Sequence, residues 1–300
     1  MSDATVNNLQ PKASEVAPAP KVRSYWQTVG YRLRYDYMTL FFGLVVILII
    51  LSAIFAPLLA PMDPYQSSML NRLKPIGYED FILGTDELGR DILSRILYGG
   101  RISLTMGILP VFIATVIGGL LGIIAGFVGG RTNMTIMRIM DVFYAFPSIL
   151  LAVAISGALG GGIFNGMMSL TLVFIPPLCR VAETATSQVR NLDFVEAARA
   201  TGASTFSIIR VHILGNVLGP ILIYSSSLVS VSILIASGLS FLGLGVTPPE
   251  PDWGLMLNTL RQAIYIQPVI CALPGVAILV TSICFNLVSD GLRSAMDVRM

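Results

Sequence analysis

Five stretches of this 300-residue chain contain no Asp, Glu, Lys or Arg: residues 37–62, 102–130, 142–179, 211–249 and 262–289, which are 26, 29, 38, 39 and 28 residues long. A charge at the centre of a bilayer costs several kcal/mol, and an α-helix crosses the hydrocarbon in about 20 residues. Intervals of this length therefore predict membrane-spanning helices. The composition agrees, with 54% hydrophobic and 12% charged residues and a mean hydropathy of +0.78. Soluble chains carry about a quarter charged residues, so a soluble enzyme, a nucleic-acid binder and a disordered hub are excluded.

The 142–179 interval is too long for one helix, and Gly160, Gly161, Gly162, Asn165 and Gly166 break it. It predicts two short spans joined by a tight turn. The 211–249 interval opens with His212, Gly215, Asn216, Gly219 and Pro220 and closes with Gly245, Pro248 and Pro249. Those residues trim its helix to about 220–244. The expectation is an all-α membrane protein with six transmembrane helices. With the N-terminus inside, 13 Lys and Arg fall on the inner side and 6 on the outer, five of the latter in an acid-containing loop at 63–101. That excess predicts an N-in, C-in topology. The expected organisation is a partly disordered cytoplasmic tail at 1–36, a first span at 37–62, an external loop with an amphipathic helix at 63–101, a five-helix core at 102–290 with an inner loop at 180–215, and a tail at 291–300. The first apolar run is too long for a cleaved signal.

Several chemistries are poorly supplied. The only lysines are Lys12, Lys21 and Lys74, none in the Gly-Lys-Ser/Thr context of a P-loop. A single His212 and the absence of a Gly-x-Ser-x-Gly elbow leave no familiar catalytic set, and no metal site is expected. Cys179, Cys271 and Cys284 lack metal spacing and read as packing residues. Asp141 is the one ionisable residue at a span's edge, which argues against ion coupling.

The inner loop is the most informative stretch, with NLDFVEAARATGASTFSIIRVHILGN over 191–216. Asp193 with Glu196 three residues on forms a capping-box pattern. Ala197, Ala198 and Ala200 give the helix little side-chain bulk, Gly202 suits the C′ position, and Ser204 can cap a second helix. Two readings are open on physics alone, a rigid projecting hairpin or an amphipathic helix lying on the membrane. Glu196-Ala197-Ala198, three residues, then Gly202, with His212-Ile-Leu-Gly215-Asn beyond, resembles the cytoplasmic "EAA" loop of permease subunits of binding-protein-dependent ABC importers. That resemblance implies that the loop docks in a cleft of an ATPase subunit. Gly215 stands where the family usually has Pro, and His212 where Ile is commoner, which predicts a softer bend before the fifth span.

A second motif narrows the subfamily. LGTDELGRDILSRILYGGRISL over 83–104 resembles the signature of the "C" permease of dipeptide, oligopeptide and nickel importers. Read physically, it is an interfacial helix capped by Thr85 or Asp86, with Asp91 pairing with Arg95 at i, i+4 and Gly99 and Gly100 ending it. It either braces the first two spans or, as the resemblance implies, forms the outer mouth and the docking surface for a substrate-binding protein, with Gly84, Thr85, Asp86, Gly89, Arg90, Asp91, Arg95 and Trp253 as its residues. Arg138-Ile-Met-Asp141, followed by Ala145-Phe-Pro147, resembles the family's motif at the third span, where Asp141 caps a helix, pairs with Arg138 or lines the inner mouth. Trp253, in a Pro-rich outer loop, also reads as an interface anchor.

The resemblance implies a type I ABC importer permease in the bacterial inner membrane that forms half of a pathway for di- or oligopeptides, with nickel or a nickel chelate as the alternative cargo. The implied partners are a homologous second permease, two P-loop ATPases that bind the ATP and Mg, an external binding protein and the peptide. No cofactor is expected in this chain. An autonomous carrier is the competing reading from another class. Gly118, Gly122 and Gly126 recur at i, i+4 and predict one close-packed helix face.

Overall fold

The computed structural model describes residues 25–296, so residues 1–24 of the expected partly disordered tail at 1–36 and the last residues of the C-terminal tail lie outside the described residues. Among the described residues the regular structure is all helical, with only isolated β-bridges in one loop. Helix α1 (Tyr25–Tyr35) occupies part of the expected tail and leads into α2 (Tyr37–Ile54), which Asp36 caps by accepting from the Thr39 backbone N–H at 3.2 Å. A short α3 (Ala56–Leu59) follows. Next comes α4 (Ile92–Val128), a single 37-residue helix.

Helices α5 (Gly130–Tyr144) and α6 (Ser148–Leu159) meet at an 87° bend. Helix α7 (Ile163–Val189) starts at the predicted glycine turn. A hairpin of α8 (Asp193–Ala200) and α9 (Thr205–Ile208) leads to α10 (Leu214–Phe241). The bundle closes with α11 (Trp253–Leu260) and α12 (Pro268–Met296).

Five helical runs are long and apolar enough to cross a membrane, and the bent α5–α6 pair makes a sixth if counted as one span. The sequence reading needs three corrections here. Helix α6 has 12 residues, about 18 Å of helix, and α5 precedes it across the bend, so no single helix starting at 142 forms the third span. The fifth span is not trimmed to 220–244: a helical run continues from Thr205 to Phe241, with Gly215, Gly219 and Pro220 inside it. Proline is tolerated there because its neighbours satisfy the freed backbone groups. The inner loop shrinks to 190–204, since α7 runs on to Val189.

Helix α7 is the centre of the bundle. Its most apolar window is 56% buried, against 17% for α2. Leu170, Val173, Phe174 and Leu178 of α7 pack with Met106, Val111 and Ala114 of α4 and with Leu228, Ile235 and Leu239 of α10. The glycine face of α4 makes this possible. A Cβ on Gly118 would sit 2.7 Å from the Ile175 carbonyl oxygen, one on Gly126 2.7 Å from that of Glu183, and one on Gly122 would overlap the Cys179 carbonyl. All three cysteines are free and buried.

The antiparallel packing places the chain's described ends and the hairpin at one end of the bundle, here the hairpin end. Gly291 of α12 abuts Thr39 at the start of α2, and Ala53 at the far end of α2 abuts Gly100 of α4. The 60–91 and 242–267 loops form the opposite, loop end.

Gly122→Ala is expected to lower stability by about 1–3 kcal/mol through overpacking, read as a fall in the detergent-solubilised melting temperature. Gly119→Ala, whose added Cβ meets nothing nearer than 4.0 Å, should leave the melting temperature unchanged.

Candidate functional site

The hairpin is built from short-range rules and anchored by long-range ones. Gly202 adopts φ +79°. Its N–H donates to the Arg199 carbonyl at 3.0 Å, and the Ala203 N–H donates to that of Ala198 at 3.1 Å. This is the bond pair that ends a helix with a left-handed glycine. Ser204 then caps α9, accepting from the Ser207 N–H at 3.3 Å.

Val195, Ile208 and Ile213 are buried against Ile123 and Phe127 of α4, Ala182 of α7 and Ile221 of α10. The hairpin root is also held by polar contacts. Arg190 Nη1 donates to the Gly126 carbonyl at 2.9 Å, and Arg199 stacks over Phe127 at 5.3 Å. Glu196, Ala197, Ala200 and Gly202 face outward with Phe194 and Phe206. A face of small side chains lets another backbone approach closely, and the two exposed rings supply apolar area beside it.

At the loop end, a folded segment is organised by Asp86. Its Oδ1 accepts from the backbone N–H groups of Leu88 and Arg90, both at 2.9 Å, and its Oδ2 pairs with Arg90 Nε at 2.7 Å and Arg95 Nε at 3.5 Å. Thr85 Oγ1 donates to the Asn71 carbonyl and accepts from the Lys74 N–H at 2.8 Å. Gly89, at φ +72°, lies so close to the Ser68 carbonyl that any Cβ would overlap it.

Trp253 stitches this segment to α11. Its Nε1 donates to the Ile96 carbonyl at 2.9 Å and its backbone N–H to Ser103 Oγ at 3.1 Å. Ser103 in turn donates to Asp252 at 2.6 Å. Burial pushes the Asp252 carboxyl above the usual carboxylate range, against the pull of its bonds from Ser103 and the Leu255 N–H. Tyr65 donates to Glu250 at 2.7 Å, and burial together with that carboxylate raises the phenol to about 12.

The third feature is a cavity of about 350 Å³ where α5 bends into α6. Phe143, Tyr144 and Pro147 line it on one side, and Phe174, Pro176, Pro177 and Tyr224 on the other. Beside it, Arg180 of α7 donates to Asp141 of α5 at 2.5 Å and stacks over Tyr144 at 4.9 Å. Larger grooves of about 600 and 430 Å³ run along α4, but apolar side chains dominate their linings.

Residues 118–300 match the family of binding-protein-dependent transport system inner membrane components, and residues 24–75 match the N-terminal transmembrane domain of oligopeptide transport permease C. The chain belongs to this permease family. It is 40% identical over 292 residues to the di/tripeptide transport system permease protein DppC of Pseudomonas aeruginosa, covering 96% of this chain and 95% of the relative. It is 39% identical over 279 residues to the glutathione transport system permease protein GsiD of Pectobacterium atrosepticum, covering 93% of each. The probable D,D-dipeptide transport system permease protein DdpC of Escherichia coli is 38% identical over 289 residues, covering 96% of this chain and 97% of the relative. In fold it is similar to a chain of the inward-facing MetNI methionine ABC transporter, with a TM-score of 0.56 at 19% identity over 68% of this chain and 97% of that one.

The permease corrects several expectations at residue level. Asp193 does not cap α8: Leu192 holds the cap position and Asp193 is the first helical residue, without a side-chain cap bond. With Glu196 it still places negative charge in the first turn, where the helix dipole favours it. His212 and Gly215 do not end a helix. His212 lies in a π-helical turn, Ile209–Ile213, with its ring 6.1 Å from Phe194, and Gly215 is inside α10.

The interfacial helix is not separate either. Asp91, rather than Thr85 or Asp86, caps α4 by accepting from the Ser94 N–H at 2.8 Å. Gly99 and Gly100 continue it because Trp253 packs against them. Arg95 pairs with Asp86, not Asp91. Thr85, Asp86, Arg90, Asp91, Arg95 and Trp253 are all buried, so Trp253 is no interface anchor and these side chains brace the segment instead of facing outward. Gly84 keeps φ +78° within the same turn.

Asp141 lies in the last turn of α5 and caps nothing. It pairs mainly with Arg180 and more loosely with Arg138, at 3.9 Å. Pro147 precedes the first residue of α6. Arg180, Tyr144 and Tyr224 were not singled out from the sequence, because only the fold brings α5, α7 and α10 together there.

Asp86→Asn removes one charge from a buried network and is expected to destabilise the loop segment by about 3 kcal/mol. Protease added to the permease in nanodiscs should then cut within 62–91 while leaving the hairpin intact. An uncut loop would show that the network is dispensable.

Proposed function

We propose that this permease forms one half of the translocation pathway of an ATP-driven importer for di- and oligopeptides. The observation that carries this reading is the hairpin: a stiff, tightly stopped helix pair with an exposed small-residue face, rooted by Arg190 and Arg199 in the end of α4. Similarity to di/tripeptide and glutathione permeases along nearly the whole chain supports the peptide cargo.

In this reading the hairpin end faces the cytoplasm, as do both described ends of the chain, which accords with the excess of Lys and Arg there. Glu196, Ala197, Ala198 and Gly202 seat in a cleft of an ATPase subunit. Two such subunits bind the ATP and Mg and perform the hydrolysis, a homologous second permease completes the pathway, and an external binding protein delivers the peptide at the loop end. The chain itself makes and breaks no bond. Closure of the ATPases moves the hairpin, and the helices rooted in it shift the cavity between inner and outer access.

Cells lacking only this chain should lose uptake of labelled di- and tripeptides and recover it when the gene is returned. Loss extending to hexapeptides would mark an oligopeptide permease. Loss of nickel uptake alone, or of nothing, would overturn the peptide reading. Gly202→Asp, which forces a side chain into a left-handed backbone position on the docking face, should abolish uptake while the protein stays at normal levels in the membrane. Retained uptake would remove the hairpin from the coupling route.

A further inference from the structure

The Arg180–Asp141 pair sits inside the bundle's length: more than two turns of α7 follow Arg180 before the helix ends at Val189. Arg180 also closes the charge-free interval 142–179, so the pair lies where the apolar part of the bundle gives way to charged side chains. Arg138 and Arg180 flank a single Asp141, leaving one net positive charge beside the cavity. The other nearby acid, Glu183, is engaged by Asn133 at 2.7 Å and Ser187 at 3.0 Å.

A guanidinium carries five N–H donors in a rigid fork. That of Arg180 gives one to Asp141 and has no other hydrogen-bond acceptor among the described residues, while Tyr144 supports its face. The side chains of Arg180 and Asp141 are 47% and 42% exposed, and the Tyr144 ring that Arg180 stacks on joins them to the cavity. Tyr144 lines that cavity directly.

We infer that Arg180 is a carboxylate-binding residue of the translocation pathway, holding the C-terminal carboxylate of a peptide in the cavity beside α5 and α6, with Asp141 as the internal carboxylate that occupies the fork when no cargo is present. The inference rests on the peptide-import reading above. A terminal carboxylate is common to all linear peptides whatever their side chains, so a site for it discriminates peptide from non-peptide without selecting a sequence. The apolar and aromatic lining of the cavity then accommodates the variable part. Exchange of one carboxylate for another keeps the Arg180 fork paired throughout.

The test uses the assembled transporter, both permeases with their ATPases, in nanodiscs without binding protein. Binding of the dipeptide Ala-Phe and of its C-terminal amide is measured by saturation-transfer NMR. The wild type is expected to prefer the free acid. Arg180→Gln should weaken the free acid about tenfold and leave the amide unchanged, Arg180→Lys should keep the preference, and Asp141→Asn should strengthen the free acid severalfold by removing its competitor.

Equal affinity for acid and amide in the wild type, or equal loss of both in Arg180→Gln, would overturn the inference, as would a free-acid affinity that ignores Arg180. Should Arg180→Gln fail to assemble, Asp141→Asn reads the same competition from the other side. Peptide uptake by wild-type cells separates the two levels. Uptake without acid preference sinks this inference alone, and absence of uptake sinks the cargo reading beneath it.

Discussion

Everything in this permease is arranged around the contact of α4 with α7. Lipid tails are as apolar as leucine, so helices in a bilayer gain nothing from merely burying oil against oil and must gain from fit. Gly118, Gly122 and Gly126 supply the fit by presenting bare backbone to the carbonyls of Ile175, Cys179 and Glu183. With those two axes drawn together, α10 packs across both, and the Leu170, Phe174 and Leu178 side of α7 becomes the core. The hairpin root and the braced loop then attach to opposite ends of the same α4 helix.

What the sequence revealed was governed by range. The spans were legible because the absence of charge over 20 or more residues has a direct energetic meaning in lipid. Gly202 and Ser204 were legible because helix stops and caps are decided within four residues. The same local reasoning misplaced the start of α4, since Thr85, Asp86 and Asp91 are all chemically able caps. What separates them is that Thr85 is taken by Asn71 and Lys74, and Asp86 by Arg90 and Arg95. Gly99 and Gly100 read as terminators until Trp253, more than 150 residues away, is seen to need the space they leave.

The polar chemistry beside the cavity was the least legible. Arg180 follows Cys179 at the end of a charge-free interval and, on the sequence alone, marks the inner edge of a span. Only the continuation of α7 to Val189 and the 87° bend between α5 and α6 place it beside a cavity and opposite Asp141. Sequence position gave the residue but not its neighbours. Burial likewise shows that the charged side chains of the 83–104 motif are spent on holding the loop together.

The unbroken run from Thr205 to Phe241 carries a mechanical consequence. At 1.5 Å per residue it is a rod about 55 Å long, anchored at one end in the hairpin and at the other beside α11. A tilt of about ten degrees at the hairpin would sweep the distant tip through about 10 Å, comparable to the width of a helix. Moving as one body, the run would amplify a small rotation imposed at one face of the membrane into a helix-sized displacement at the other, and the π-helical turn at Ile209–Ile213 and Pro220 are the points where it could flex instead.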